Sequence, residues 1–227
     1  MPFRPKNASN ACFRRSRRLI KLANESLTDK KIRSDLRRSA LVMAVAAVDS
    51  YMHWLVYQRI SIVRGKGDIP KALQKLDIPF KALGSLADTA IRARQQDKNI
   101  RPWVQVKDVV QKRLLRETFQ SYEQIGDAFS MAGVDHGWSR TAKKLGIKTE
   151  EIKARLNKLI NRRNQIVHEG DITRSLRPRR LKYNKVKSNS VTSNVNWVEK
   201  LIAAIEKVIY TNENERPLRG RVTNGRR

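Results

Sequence analysis

Cysteine, histidine, glycine, proline and acidic residues are all scarce in this chain, and each scarcity removes a class of protein. Cys12 is the one cysteine in 227 residues, so no intramolecular disulfide can form, and the expected setting is a reducing, cytoplasmic one. The three histidines and Cys12 nowhere fall at zinc-ligand spacing, and no metal or other cofactor is expected. Seven prolines and ten glycines are few, and neither a hairpin signal nor a fixed-period repeat is visible. Alanine, leucine, lysine, arginine and glutamine are plentiful instead, so the expected fold class is all-α. The longest apolar run, Leu41 to Val48, stops at Asp49. That is far short of the ~20 residues needed to span a bilayer, so no membrane partner is expected.

What is present in excess is positive charge. There are 49 Lys and Arg against 21 Asp and Glu, a formal net charge of +28. A folded chain with that excess repels itself, and the usual compensating partner is a polyanion. Nucleic acid is the first expectation, an anionic membrane surface the second and an acidic protein the third. No acidic residue precedes Glu25. An Arg-rich, acid-poor start suits a transit peptide, but serine is not enriched, and a basic arm contacting RNA is the preferred reading.

The length fits one sizeable domain with extensions. Residues 1–28 read as a basic arm and a first helix (11–27), with the first ten residues disordered. Residues 29–211 read as one helical domain, with seven to nine helices in all. A long central helix is expected over 30–64, because apolar residues cover most of its circumference between Leu41 and Val56 and Ala40, Ala44 and Ala47 permit close helix packing. Asp49 and His53 are neighbours on it at i,i+4. They would either fix helix register as a hydrogen-bonded pair or support a catalytic pocket. Further helices are expected over 71–76, 79–96, 102–119, 121–132 (with Ser121 and Gln124 as a capping box), 149–168 and 196–210. A loop rich in charge, Ser and Asn fills 171–195, and a basic disordered tail follows at 212–227. Segment 138–160, with Ala142, Gly146 and Ile152 in register, imitates a helix-turn-helix.

Chemistry concentrates at the end of the 149–168 helix. On a wheel of about 100° per residue, Arg163 falls inside the apolar stripe of Ile152, Leu156, Leu159 and Ile160. A guanidinium so placed needs a carboxylate, Asp49 or another, or a bound anion. His168 falls about 140° from Arg163 and beside Asn164. Alone it could simply be a cation at a helix C-terminus. One straight helix should therefore not bring Arg163 and His168 together. Either the helix distorts near Gly170 or a symmetric dimer pairs two helix ends. Beyond it, Arg174, Arg177, Arg179, Arg180, Lys182 and Lys185 surround Tyr183, a pattern suited to phosphate contact and base stacking, with Arg162 on the helix itself.

The run Arg163-Asn164-Gln165-Ile166-Val167-His168 resembles the Arg-x4-6-His motif of the HEPN superfamily. Leu145-Gly146-Ile147, Ile152, Leu156-Asn157, Arg162 to Asp171, the stretch Ser39 to His53 and Thr118 to Ser121 look like its RiboL-PSP-HEPN branch, over roughly residues 30–172. The resemblance implies a HEPN-type helical bundle, usually dimeric, acting as a metal-independent endoribonuclease in toxin–antitoxin or antiviral systems. It implies Arg163 and His168 as the catalytic pair and Asn164 as an orienting residue, with Asp49, His53, Glu169 and Asp171 as candidate supports. The implied partners are RNA, a second copy joined through the Arg163/His168 helix, and an antitoxin or other acidic protein. Two rivals remain. One is a non-catalytic nucleic-acid-binding module using segment 138–160. The other is an assembly protein whose motif is only a capped helix end.

Overall fold

The core is built around one helix. In the computed structural model, which describes residues 4–25, 29–63, 69–96, 102–173 and 180–215, α1 spans Pro5–Glu25 and α2 spans Lys30–Val63. From Ala40 to Ile60, α2 buries residues on nearly every side, among them Leu41, Val45, Val48, Tyr51, Met52, Leu55 and Val56. Residues 30–60 are long and apolar enough to cross a membrane by length and composition alone, but from Ala40 to Ile60 their buried apolar side chains belong to the core shared with other helices of the same chain.

Helix α1 lies along α2 as its main neighbour. The small residues Ala40, Ala44 and Ala47 are fully buried there, and the approach is close enough for the Ser16 hydroxyl to donate to the Ala40 carbonyl at 2.7 Å. The expectation of disorder through residue 10 does not hold for residues 5–10, which are helical. Pro5 suits a first helical turn, where its missing N–H is not needed. Ser9 is fully buried, and Lys6 pairs with Glu206 at 2.7 Å, so tertiary packing orders a stretch with little apolar content.

Short helices α3 (Lys71–Gln74), α4 (Phe80–Gln95) and α5 (Pro102–Leu114) follow. Helix α5 stops at Leu114 rather than near Phe119, because the chain there is claimed by other groups. The Asp49 carboxylate accepts the Phe119 backbone N–H at 2.6 Å, and the buried Phe119 ring meets His53 edge-on at 4.8 Å between centroids. Asp49 and His53 thus tie α2 to the start of the next helix, α6 (Tyr122–Met131). Its capping box forms as expected: the Ser121 hydroxyl accepts the Gln124 N–H at 3.1 Å, and the Gln124 side chain accepts the Ser121 N–H at 3.0 Å.

Helix α7 (Gly137–Leu145) and helix α8 (Thr149–Glu169) meet at Gly146, whose φ of +70° closes the turn. Ala142 and Ile152 are buried on either side of it, so the helix-turn-helix-like spacing does mark a real helix pair. Trp138 fastens α7 to α6 by stacking on Tyr122 at 4.4 Å and donating its indole N–H to the Tyr122 carbonyl at 3.0 Å. Thr149 does not cap α8. The cap position is Lys148, whose backbone N–H is taken by the Glu151 carboxylate at 3.2 Å, while the Thr149 hydroxyl turns to Glu150.

The last helix, α9 (Ser188–Glu215), begins eight residues earlier than its composition suggests. Serine and asparagine fill residues 188–196, but Val191 and Val195 are buried and continue the stripe of Val198, Leu201, Ile202, Ile205 and Val208. A stripe this long is held against α2 and α7, which outweighs the weak helix preference of the polar residues. Among the described residues the fold is therefore all-α, with nine helices and one isolated β-bridge.

Candidate active site

Helix α8 supplies the site. Ile152, Leu156 and Leu159 bury its inner face, and Gly170, at φ +61°, ends it with the left-handed residue that helix C-termini favour. At its last two turns the Arg163 Nη1 donates to Asn164 Oδ1 at 3.0 Å and lies 3.4 Å from His168 Nε2. The pair thus meets within one chain and on an unbroken helix, contrary to the wheel. A wheel tracks Cα–Cβ directions, whereas a guanidinium sits several rotatable bonds further out and can sweep across the 140° gap. Arginine carries only donors, so a hydrogen bond at this distance is one in which Nε2 accepts.

The carboxylate predicted for Arg163 goes to its neighbour instead. Arg162 makes a two-pronged ion pair with Asp171, its Nη2 lying 2.7 Å from Oδ2. Asp171 is 0% exposed and sits at φ +59°, a left-handed conformation that only glycine and short polar residues adopt readily. Arg38 of α2 also donates to it, and Asn184 Nδ2 donates at 3.0 Å. Burial alone would raise the Asp171 carboxyl, but the hydrogen bonds from Arg162, Arg38 and Asn184 outweigh it and hold the group below the usual carboxylate range.

This knot also closes the stem of the basic loop. Asp171 and Asn184 exchange backbone contacts, with Asn184 N donating to Asp171 O at 2.9 Å, Thr173 N donates to Lys182 O at 2.7 Å, and Ile172 and Tyr183 form the bridge. Arg38 lies over the Tyr183 ring at 5.7 Å and donates to the Asn184 carbonyl at 3.0 Å. The α8 end, α2 and the loop stem are thus locked into one unit three residues beyond His168.

Of the expected RNA contacts, Arg180, Lys182, Tyr183 and Lys185 are exposed along that stem. Arg174, Arg177 and Arg179 lie outside the described residues. Arg162 is turned inward to Asp171 rather than presented to solvent. Asn164 reaches Arg163, and Glu169 is the last residue of α8. The contacts of Asp49 and His53 lie with each other, at 3.7 Å, and with Phe119. Their visible role is to receive and pack Phe119.

Sequence reading missed Arg38 and Asn184. Their one signal was Asp171 itself, the last acidic residue before Glu199 in a strongly basic stretch. An isolated acid so placed is apt to be paired. Among comparisons with known proteins, no curated protein and no solved structure matches the chain. The model of the RiboL-PSP-HEPN family matches residues 10–211.

Proposed function

Because the chain belongs to the RiboL-PSP-HEPN family, whose HEPN domains are associated with ribonuclease or nucleotide-binding activity, we propose that it is a metal-independent endoribonuclease with Arg163 and His168 as catalytic residues. The observation that carries this reading is the 3.4 Å approach of Arg163 Nη1 to His168 Nε2. RNA brings its own nucleophile, the 2′-hydroxyl. An imidazole can take that proton near neutral pH. A scissile phosphate entering beside Arg163 would replace His168 as the guanidinium's acceptor and so release Nε2 for the hydroxyl.

The 2′-oxygen then forms its bond to phosphorus as the bond to the 5′-oxygen breaks. Arg163 bears the charge that develops on the non-bridging oxygens. The departing 5′-oxygen takes a proton from solvent or from the same histidine of a second copy. The ends left are a 2′,3′-cyclic phosphate and a 5′-hydroxyl. Asn164 holds the guanidinium in place, and the exposed cations of the loop stem draw in the strand. Pairing of two α8 ends remains attractive, since Val167 is 46% exposed between the catalytic residues. Deployment as a toxin or defence effector, with an acidic antitoxin, fits the family.

The test is cleavage of an unstructured oligoribonucleotide in EDTA by wild type and by His168→Ala, with product ends identified. Tight nucleic-acid binding by a wild type that never cuts would favour a non-catalytic module using α7 and α8.

A further inference from the structure

A second feature lies on the opposite side of the loop stem. Helices α1, α8 and α9 enclose a cleft of about 590 Å³, lined by Asn24, Arg155, Ser188, Thr192, Trp197 and Lys200 with three more Ser and Asn side chains. Its chemistry is one-sided. Among the described residues it has two cations, many amides and hydroxyls, no carboxylate, and a single apolar side chain, Trp197. That indole is already covered by the Arg155 guanidinium, 4.8 Å from the ring centroid. A plane of positive charge backed by a tryptophan offers its outer face to a base, and the hydroxyls and amides suit sugar and phosphate oxygens. A protein partner would look for an apolar anchor, and the cleft has none free.

The cleft is also joined to the catalytic corner. The segment from Asn184, in the Asp171 knot, runs directly to Ser188 at the cleft, and Lys182, Lys185 and Lys187 are exposed along it. Along α8, Arg155 and His168 are thirteen residues apart, about 20 Å at 1.5 Å per residue. Their side chains leave the helix about 140° apart, so the path is longer than the rise, and at roughly 3.4 Å per nucleotide it is at least about six nucleotides.

We propose that this cleft is a remote RNA subsite, which holds the strand at least about six nucleotides from the bond being cut and makes the protein prefer long single strands. The proposal rests on the ribonuclease reading for the word "remote", but not for binding itself. Its test is therefore a binding measurement in the His168→Ala background, with fluorescein-labelled oligouridine 12-mer and 3-mer.

Arg155→Gln/Lys200→Gln should weaken the 12-mer about ten-fold and lower the salt slope of log K by about 1.4, at 0.7 per lost phosphate contact. The 3-mer should be unaffected. Lys71→Gln/Lys75→Gln, which removes two exposed charges in and just after α3, should change neither. With His168 restored, the cleft variant should cut the 12-mer with raised KM and the 3-mer at wild-type rate. If the double variant does not fold, Lys200→Gln alone should lower the slope by about 0.7. The proposal is overturned if the cleft variant binds the 12-mer like the α3 variant, or if the 3-mer weakens equally. A protein that never cuts RNA but loses 12-mer affinity in the cleft variant would refute the ribonuclease reading and leave the cleft standing.

Discussion

Replacing Asp171 by asparagine isolates the charge in the knot beneath the Arg163/His168 corner. Asparagine has the same shape and tolerates the left-handed backbone at φ +59°, so neither volume nor backbone strain changes. What is lost is the anion between Arg162 and Arg38, and the new amide group points a donor at donors. Removing one partner of a buried ion pair leaves uncompensated charge and costs about 3–5 kcal/mol. Asp171 has no exposed surface, while the Arg162 and Arg38 side chains keep 23% and 12% of theirs. Solvent can therefore reach the arginines in part, which favours the lower end, about 3 kcal/mol. For a chain of this size that lowers the melting temperature by about 6–12 °C.

The pH dependence has a definite sign. The folded carboxyl is held below its unfolded value, so its stabilisation is complete above about pH 4 and is lost as the pH falls through the lower, folded value. Thermal melts by circular dichroism from pH 7 to pH 3 should show wild type losing stability below about pH 4, and Asp171→Asn losing less over the same interval. A melting temperature within about 2 °C of wild type at pH 7, or identical acid slopes, would refute the idea that this knot holds α8 to α2 and the loop.

Two other perturbations probe separate parts of the fold. A Cβ at Gly137 would stand 2.5 Å from the Phe129 ring, which is buried and packed edge-on against Trp138 at 5.3 Å. Gly137→Ala should therefore destabilise by about 1–3 kcal/mol, read as a lower urea midpoint; an unchanged midpoint would mean that the α6–α7 contact is loose. Val167→Glu puts charge on an exposed apolar residue between Arg163 and His168. If two α8 ends pair, losing about 1.5–3 kcal/mol of burial should weaken the dimer about ten- to a hundred-fold by sedimentation without lowering the melting temperature, and an unaltered dimer would place the interface elsewhere.

The elements legible in the sequence are those whose signals are local. Apolar residues on all sides of 41–56 marked α2 as the central helix, Ser121 and Gln124 fixed the start of α6, and Gly146 and Gly170 fixed two helix ends. Boundaries set by distant partners were not legible. The polar residues 188–195 give no helix signal until Val191 and Val195 are known to be buried, and residues 5–10 are ordered by contacts with α9. The site divides in the same way. Arg163, Asn164 and His168 lie within two turns and were singled out by the resemblance of their run to the Arg-x4-6-His motif, whereas their angular spacing argued against a contact. Their support was not found, because Arg38 is 133 residues from Asp171, and no periodicity tells which of two adjacent arginines will take a buried acid. The wheel left Arg163 either a carboxylate or a bound anion. The structure gives the buried carboxylate to Arg162, while Arg163 meets Asn164 and His168.

The most direct measurement is the single-turnover rate of oligoribonucleotide cleavage in EDTA, for wild type and His168→Ala, with a matched strand carrying one 2′-deoxynucleotide at the cleavage position. Attack by the 2′-hydroxyl with His168 as base requires the variant to be slower by about 10²–10⁴-fold, the deoxy strand to resist cleavage at that bond, and the products to carry a cyclic phosphate. A His168→Ala protein cutting at the wild-type rate, or a deoxy strand cut as fast as RNA, would contradict it.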